Sequence, residues 1–183
     1  MVHKTKALRE LIIIALSAAI ITVCSWISIP LIVPVTLQSL AIFLIAGLFP
    51  VKISLSAVSL YLLLGFLGLP VFAGFNGGFT ALIGASGGFL LGFIPAVVII
   101  SVFKSSYKKS DIFYAITMVL SLLICYAFGC LWYMFVFCYD STPSLFYTLS
   151  VCIFPFILFD IIKIFSALLI RKKLAPYIQR LLI

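Results

Sequence analysis

From Thr148 to Ile170 the chain is apolar enough to cross a bilayer, yet it carries Asp160 and Lys163 in its middle. Few features constrain a fold more. In a helix, residues three apart share a face, so the two side chains point the same way. In water such a pair adds roughly 0.2–0.5 kcal/mol. At the centre of a bilayer each charge costs roughly 2.5–3.5 kcal/mol on insertion scales. The pair must therefore face protein, water or a ligand, and the rest of the chain has to supply its partners.

Composition says that the solvent is lipid. Of 183 residues, 66% are hydrophobic and only 9% charged, too few to coat a soluble globular domain. The first apolar run outlasts the roughly 7–15 residues of a signal-peptide core and has no small-residue cleavage site after it, so it reads as a retained helix. Apolar segments long enough to span, or nearly so, predict helices at about 7–27, 36–49, 51–69, 79–103, 112–138 and 148–170. Pro30, Pro34, Pro50 and Pro70 punctuate them, as does the glycine-rich stretch Ala73-Gly-Phe-Asn-Gly-Gly78. The basic, partly amphipathic tail 171–183 reads as an interfacial segment. The five cysteines fall in or beside apolar segments with no C-x-x-C pair and read as packing residues, Cys138 alone being near an expected outer end.

Charge placement fixes the expected topology. Lys4, Lys6 and Arg9 precede helix one, and Lys52 lies between helices two and three. Lys104, Lys108 and Lys109 lie between four and five; Arg171, Lys172, Lys173 and Arg180 follow helix six. All of the twelve Lys and Arg residues except Lys163 thus fall on one side, and the opposite loops carry only Asp140. By the positive-inside rule this is an all-α membrane protein of one domain, 1–183, with six transmembrane helices and both termini cytoplasmic. A net charge of +8 distributed this way is a topology signal and excludes a nucleic-acid surface. Thr36 and Gln38 then sit at the outer start of helix two, and Asn76, Gly77 and Gly78 at the outer junction of helices three and four. Pro155, just before Asp160, removes a helical hydrogen bond or marks where regular helix begins. The charged pair lies below an outward-facing cap, a geometry that suits a pocket loaded from outside.

Catalysis finds little support. Gly84-Ala-Ser86-Gly-Gly88 fits the G-x-S-x-G elbow and resembles the serine motif of rhomboid intramembrane proteases. A serine nucleophile needs a base. The single histidine, His3, is on the wrong side, and Lys163 would have to be neutral beside Asp160, which favours its charged form. There is no metal-binding motif and no phosphate-binding loop, so ATP hydrolysis, if it drives this protein, resides on another subunit. Small residues at 84–88 serve close helix packing equally well. Ala15 and Ala19 form a small-xxx-small spacing on helix one, which lets another helix approach.

Four stretches recur in order: Val35-Thr36-Leu-Gln38; Gly68-Leu-Pro70-Val-Phe-Ala-Gly74-Phe-Asn76-Gly-Gly78; Gly84-Ala-Ser-Gly87-Gly88-Phe-Leu-Leu-Gly92-Phe; and Pro155-Phe-Ile-Leu-Phe-Asp160-Ile-Ile-Lys163. Together they resemble the BioY family, the biotin-specific substrate-binding subunits of energy-coupling factor transporters, over most of the chain. Where the family pattern usually has Gly-Pro-Thr-Gly-Gly-Tyr, this chain has Gly84-Ala85-Ser86-Gly87-Gly88-Phe89, which removes a proline kink and a tyrosine hydroxyl. The resemblance implies a multi-pass protein of the bacterial cell membrane, with biotin as transported ligand and no cofactor. Its implied partners are a membrane coupling subunit (EcfT-like), docked on Ala15 and Ala19, and two cytoplasmic ATPases.

The residues suit that ligand. Biotin offers urea N–H donors, a carbonyl acceptor, an apolar sulfur ring and a carboxylate. Asp160 can accept from urea N–H groups, Lys163 can neutralise the carboxylate or hold Asp160 ionised, and Asn76 and Gln38 carry donors and acceptors. Thr36, Gly77 and Gly78 complete the expected polar cap, and Phe72, Phe75 and Phe89 the apolar walls. Three accounts compete with this one: a pair that merely pins helix six, a solitary proton-coupled carrier using Asp160, and an intramembrane serine hydrolase.

Overall fold

The computed structural model describes residues 2–104, 110–139 and 143–182; Lys108, Lys109 and Asp140, used above for topology, lie outside them. The chain is predominantly helical. Helix α1 covers Val2–Trp26, and a two-residue strand pair follows, β1 (Ser28–Ile29) antiparallel to β2 (Val35–Thr36), with Ser28 opposite Thr36. Then come α2 (Gln38–Leu48), α3 (Val51–Phe66), α4 (Phe79–Ile83), α5 (Gly87–Val102), α6 (Asp111–Trp132), α7 (Leu145–Cys152) and α8 (Phe154–Leu182). Among the described residues three segments, Lys6–Trp26, Asp111–Phe137 and Leu145–Ile178, are long and apolar enough to cross a membrane. Three shorter apolar helices, α2, α3 and α5, pack among them.

The sorting of side chains is that of a lipid-solvated bundle. On α1, Leu8, Leu11, Ile12, Leu16, Ile20 and Val23 face outward, while Ser17, Ala18, Ile21, Thr22 and Ser25 are buried. Small and hydroxyl-bearing residues let backbones approach and bond to carbonyls across helices, which is what drives association where lipid and leucine are equally apolar. Ser121 on α6 donates to the Ala96 carbonyl on α5 (3.2 Å), and Tyr114 on α6 to the Phe43 carbonyl on α2 (2.6 Å). Helices α5 and α6 approach closely. A Cβ at Gly88 would lie 2.4 Å from the Phe128 carbonyl, and one at Gly129 would collide with the Phe89 ring.

Several expected helices are interrupted, each for a local reason. The helix expected at 79–103 is two: Gly84 is extended (φ −67, ψ −178), and regular helix resumes only at Gly87. The kink therefore survives without the family's proline. The last span is likewise divided. Pro155 has no N–H, and the chain turns at Ile153 (φ −127, ψ −55) between α7 and α8. Helix α8 then runs unbroken through Arg171 to Leu182, so the basic tail continues the helix of the last span. Helix α6 begins with Ser110 accepting from the Phe113 amide (3.4 Å), a cap that satisfies one orphan donor, and ends in a π-helical turn over Tyr133–Phe137. Cys138 is half-buried rather than exposed.

Length explains where the space is. Eleven residues make α2 about 16 Å long, roughly half of a hydrocarbon core. Above its first turn the chain is not helix but the β1–β2 hairpin, and that is where the fold leaves a cavity.

Candidate functional site

The cavity has a volume of about 500 Å³ and is walled by α2, α5, α6 and α8, the hairpin, and the segments around 72–77 and 80–86. Asp160 lies about 9 Å along α8 from its first residue, Phe154, which places it below those connecting segments. Asp160 and Lys163 are 3% and 4% exposed and joined at 2.8 Å.

Two further side chains complete the floor. Ser39, on the first turn of α2, donates to Asp160 Oδ1 (3.4 Å) and accepts from Lys163 Nζ (3.1 Å). Tyr126 on α6 donates to Asp160 Oδ2. The carboxylate thus takes three hydrogen bonds, and Lys163 uses two of its three N–H groups. A buried ion pair costs stability when any of its atoms is left unpaired and is tolerated when the network is complete. This one is nearly complete, with one donor of Lys163 left for an acceptor in the cavity.

The polar residues expected higher up are partly brought together. Gln38 is buried, and its Nε2 donates to the Tyr61 hydroxyl (2.7 Å), leaving its carbonyl oxygen as acceptor. Asn76 is arranged alike: Nδ2 donates to the Ala73 carbonyl (3.0 Å), which can only accept, so Oδ1 is available. Thr36 accepts from the Gln38 amide (3.2 Å) and lines the cavity, as do Gly77, Phe72 and Phe89. Phe89 stacks on Phe156 with ring centroids 5.7 Å apart. Phe75 and Gly78 do not line the cavity. Phe75 is 63% exposed and stacks on Trp26 outside the wall; Gly78 caps α4 in a left-handed turn (φ 87). Ala15 and Ala19 lie on the outward face of α1, away from the cavity.

Ser39 and Tyr126 escaped the sequence reading. Ser39 directly follows Gln38 in the uncharged stretch, and Tyr126 is a hydroxyl in mid-span; both were visible as polar atoms in apolar surroundings. Ser86 lines the cavity rim, but Lys163, the base it would need, is already bound to Asp160 and Ser39. Among the described residues no cluster of His, Cys, Asp or Glu is arranged to hold a metal. Chemically, then, the cavity presents one ammonium donor at its floor, amide acceptors above it and aromatic walls between, a set suited to a small, mostly apolar ligand bearing both N–H donors and an oxygen acceptor.

Known proteins give this arrangement a context. The model of the BioY family matches residues 1–180. The chain is 40% identical over 168 residues to the biotin transporter BioY of Thermotoga maritima, covering 91% of this chain and 96% of that one. It is 40% identical over 170 residues to biotin transporter BioY2 of Lactococcus lactis, covering 90% and 91%. Its fold superposes on the crystal structure of the S-component for biotin from an ECF-type ABC transporter, with a TM-score of 0.82 and 26% identity, covering 93% of this chain and 92% of that one.

Proposed function

Because the chain belongs to the BioY family, we propose that its cavity is where biotin is captured on the way into the cell. The protein takes up biotin as the substrate-specific subunit of an ECF-type transporter, and its role is binding rather than catalysis. The observation that carries the site assignment is the buried network of Asp160, Lys163, Ser39 and Tyr126 beneath an apolar cavity. Biotin's N–H groups meet acceptors at Gln38, Asn76 and Asp160. One of its oxygens, urea or carboxylate, meets the remaining N–H of Lys163. Thr36, Gly77 and Phe89 complete the enclosure.

The full arrangement we infer is one integral domain of six membrane crossings, with α2, α3 and α5 as the short ones and both termini in the cytoplasm. Its seat is the bacterial cell membrane. A membrane coupling subunit docks on the α1 face bearing Ala15 and Ala19, and two cytoplasmic ATPases supply the energy. The outward placement of both alanines on α1 supports the docking face.

Biotin binding by the purified protein tests the site. Wild type binds tightly, and Asp160→Asn and Lys163→Ala bind weakly; unchanged affinity in both removes the assignment. Biotin methyl ester decides the orientation, since loss of binding with the ester places the carboxylate at a charged group. Transport that persists without any ATPase and collapses with the proton gradient would instead support a solitary carrier.

A further inference from the structure

We infer that Trp26 and Phe75, neither of which lines the cavity, are positioning residues that hold Asn76 in it. The inference rests on biotin as the ligand and on Asn76 as one of its contacts.

Asn76 sits on a short tip, residues 73–76, between the buried Phe72 and the tightly packed Gly77. Its two flanks are fixed. Phe72 is 3% exposed and set edge-on to Tyr61, and the Val71 carbonyl accepts from Ser25 of α1. On the other flank, a Cβ at Gly77 would fall 2.2 Å from the Leu69 carbonyl, and the Gly78 amide donates to the Gly65 carbonyl (2.7 Å). The tip itself has few such restraints. Its internal bonds run from the Phe72 amide to the Asn76 carbonyl (2.9 Å) and from Asn76 Nδ2 to the Ala73 carbonyl.

Two successive residues of the tip adopt left-handed backbone, Gly74 (φ 69) and Phe75 (φ 58). Glycine does so freely, but a bulky L-residue there is strained and persists only when its surroundings hold it. What holds Phe75 is the Trp26 ring, stacked at 5.0 Å with 29° between planes. Trp26 is in turn fixed by its indole N–H, which donates to the Pro70 carbonyl (2.9 Å). The left-handed turn at Phe75 is what allows one residue to lie outside on Trp26 while the next reaches the cavity. Removing the stack removes the restraint that maintains the turn, and Asn76 loses its fixed place.

The measurement is biotin affinity of the purified protein in a double-mutant cycle. Trp26→Ala and Phe75→Gly each weaken binding about tenfold, the scale of one stacked aromatic pair with its supporting hydrogen bond. Phe75→Gly keeps the left-handed turn accessible, so its loss reports the ring and the restraint that the ring places on the tip, without added backbone strain. Trp26→Phe, which restacks without the N–H, stays within about threefold of wild type. The decisive readout is non-additivity: in an Asn76→Ala background, Trp26→Ala changes affinity less than about twofold. If Trp26→Ala unfolds the protein, Phe75→Gly in the same cycle carries the test. Wild-type affinity in both Trp26→Ala and Phe75→Gly, or a full effect of either in the Asn76→Ala background, overturns this inference alone. Failure of wild type to bind biotin, or wild-type affinity in Asn76→Ala, overturns the reading of the site and this inference with it.

Discussion

Floor and rim of the cavity are held by different means. At the floor, four side chains from α2, α6 and α8 bond to one another, and the charged pair is almost wholly excluded from solvent. At the rim, backbone bonds to backbone across turns rich in glycine and proline, and the side chains that steady it, Trp26 and Phe75, lie partly exposed. The difference follows from what each part must do. Charges at membrane depth are stable only when nearly every donor and acceptor is used, which demands rigid helices and fixed rotamers. The rim, by contrast, is local structure held by short-range bonds, which costs less to open.

That contrast can be broken in three places. The largest effect belongs to the floor. Lys163→Met leaves a buried carboxylate with no counter-charge and lowers stability by about 3–5 kcal/mol, whereas adding Asp160→Asn restores much of it. Thermal unfolding in detergent checks both; a double variant as unstable as the single one would show that the pair does not govern floor stability. Both variants bind biotin weakly, so the double variant separates the structural use of the pair from its proposed use on the ligand. Next, Tyr126→Phe removes one of three donors to Asp160 and costs about 1.5–3 kcal/mol, the range for a hydrogen bond to a charged group. The same unfolding measurement reads it, and a midpoint unchanged from wild type would mean that the hydroxyl adds nothing at the floor. The smallest effect is expected outside the cavity lining, in the turn that follows α3. At Gly68 (φ 96) an added Cβ meets nothing within 4 Å, so Gly68→Ala costs only the left-handed strain, about 1 kcal/mol, and leaves biotin affinity within about twofold. A tenfold loss of affinity there would mean that the turn after α3 shapes the site as strongly as the residues that line it.

Sequence made the floor's charges conspicuous because two ions in an apolar run are costly unless something pairs with them, and Gln38 and Asn76 followed from where the prolines and glycines interrupt the helices. Tyr126 was one polar hydroxyl among eight tyrosines, and nothing in the sequence singled it out. Which face of α6 meets α8 depends on how closely α5 and α6 approach, and that is set by Gly88, Gly92 and Gly129 acting at long range. The break at Gly84–Ser86 was equally hidden, since a glycine-rich apolar run reads as helix by hydropathy alone. Phe75 was misplaced for a different reason. It was expected in the apolar wall, and the left-handed turn at Phe75 sends its ring away from the cavity that Asn76 enters.

Asp160 and Lys163 also stand one turn apart on the same helix, so no sliding or tilting between helices can part them. Both charges are therefore carried by α8 itself and stay on one stretch of the cavity wall however the neighbouring helices shift.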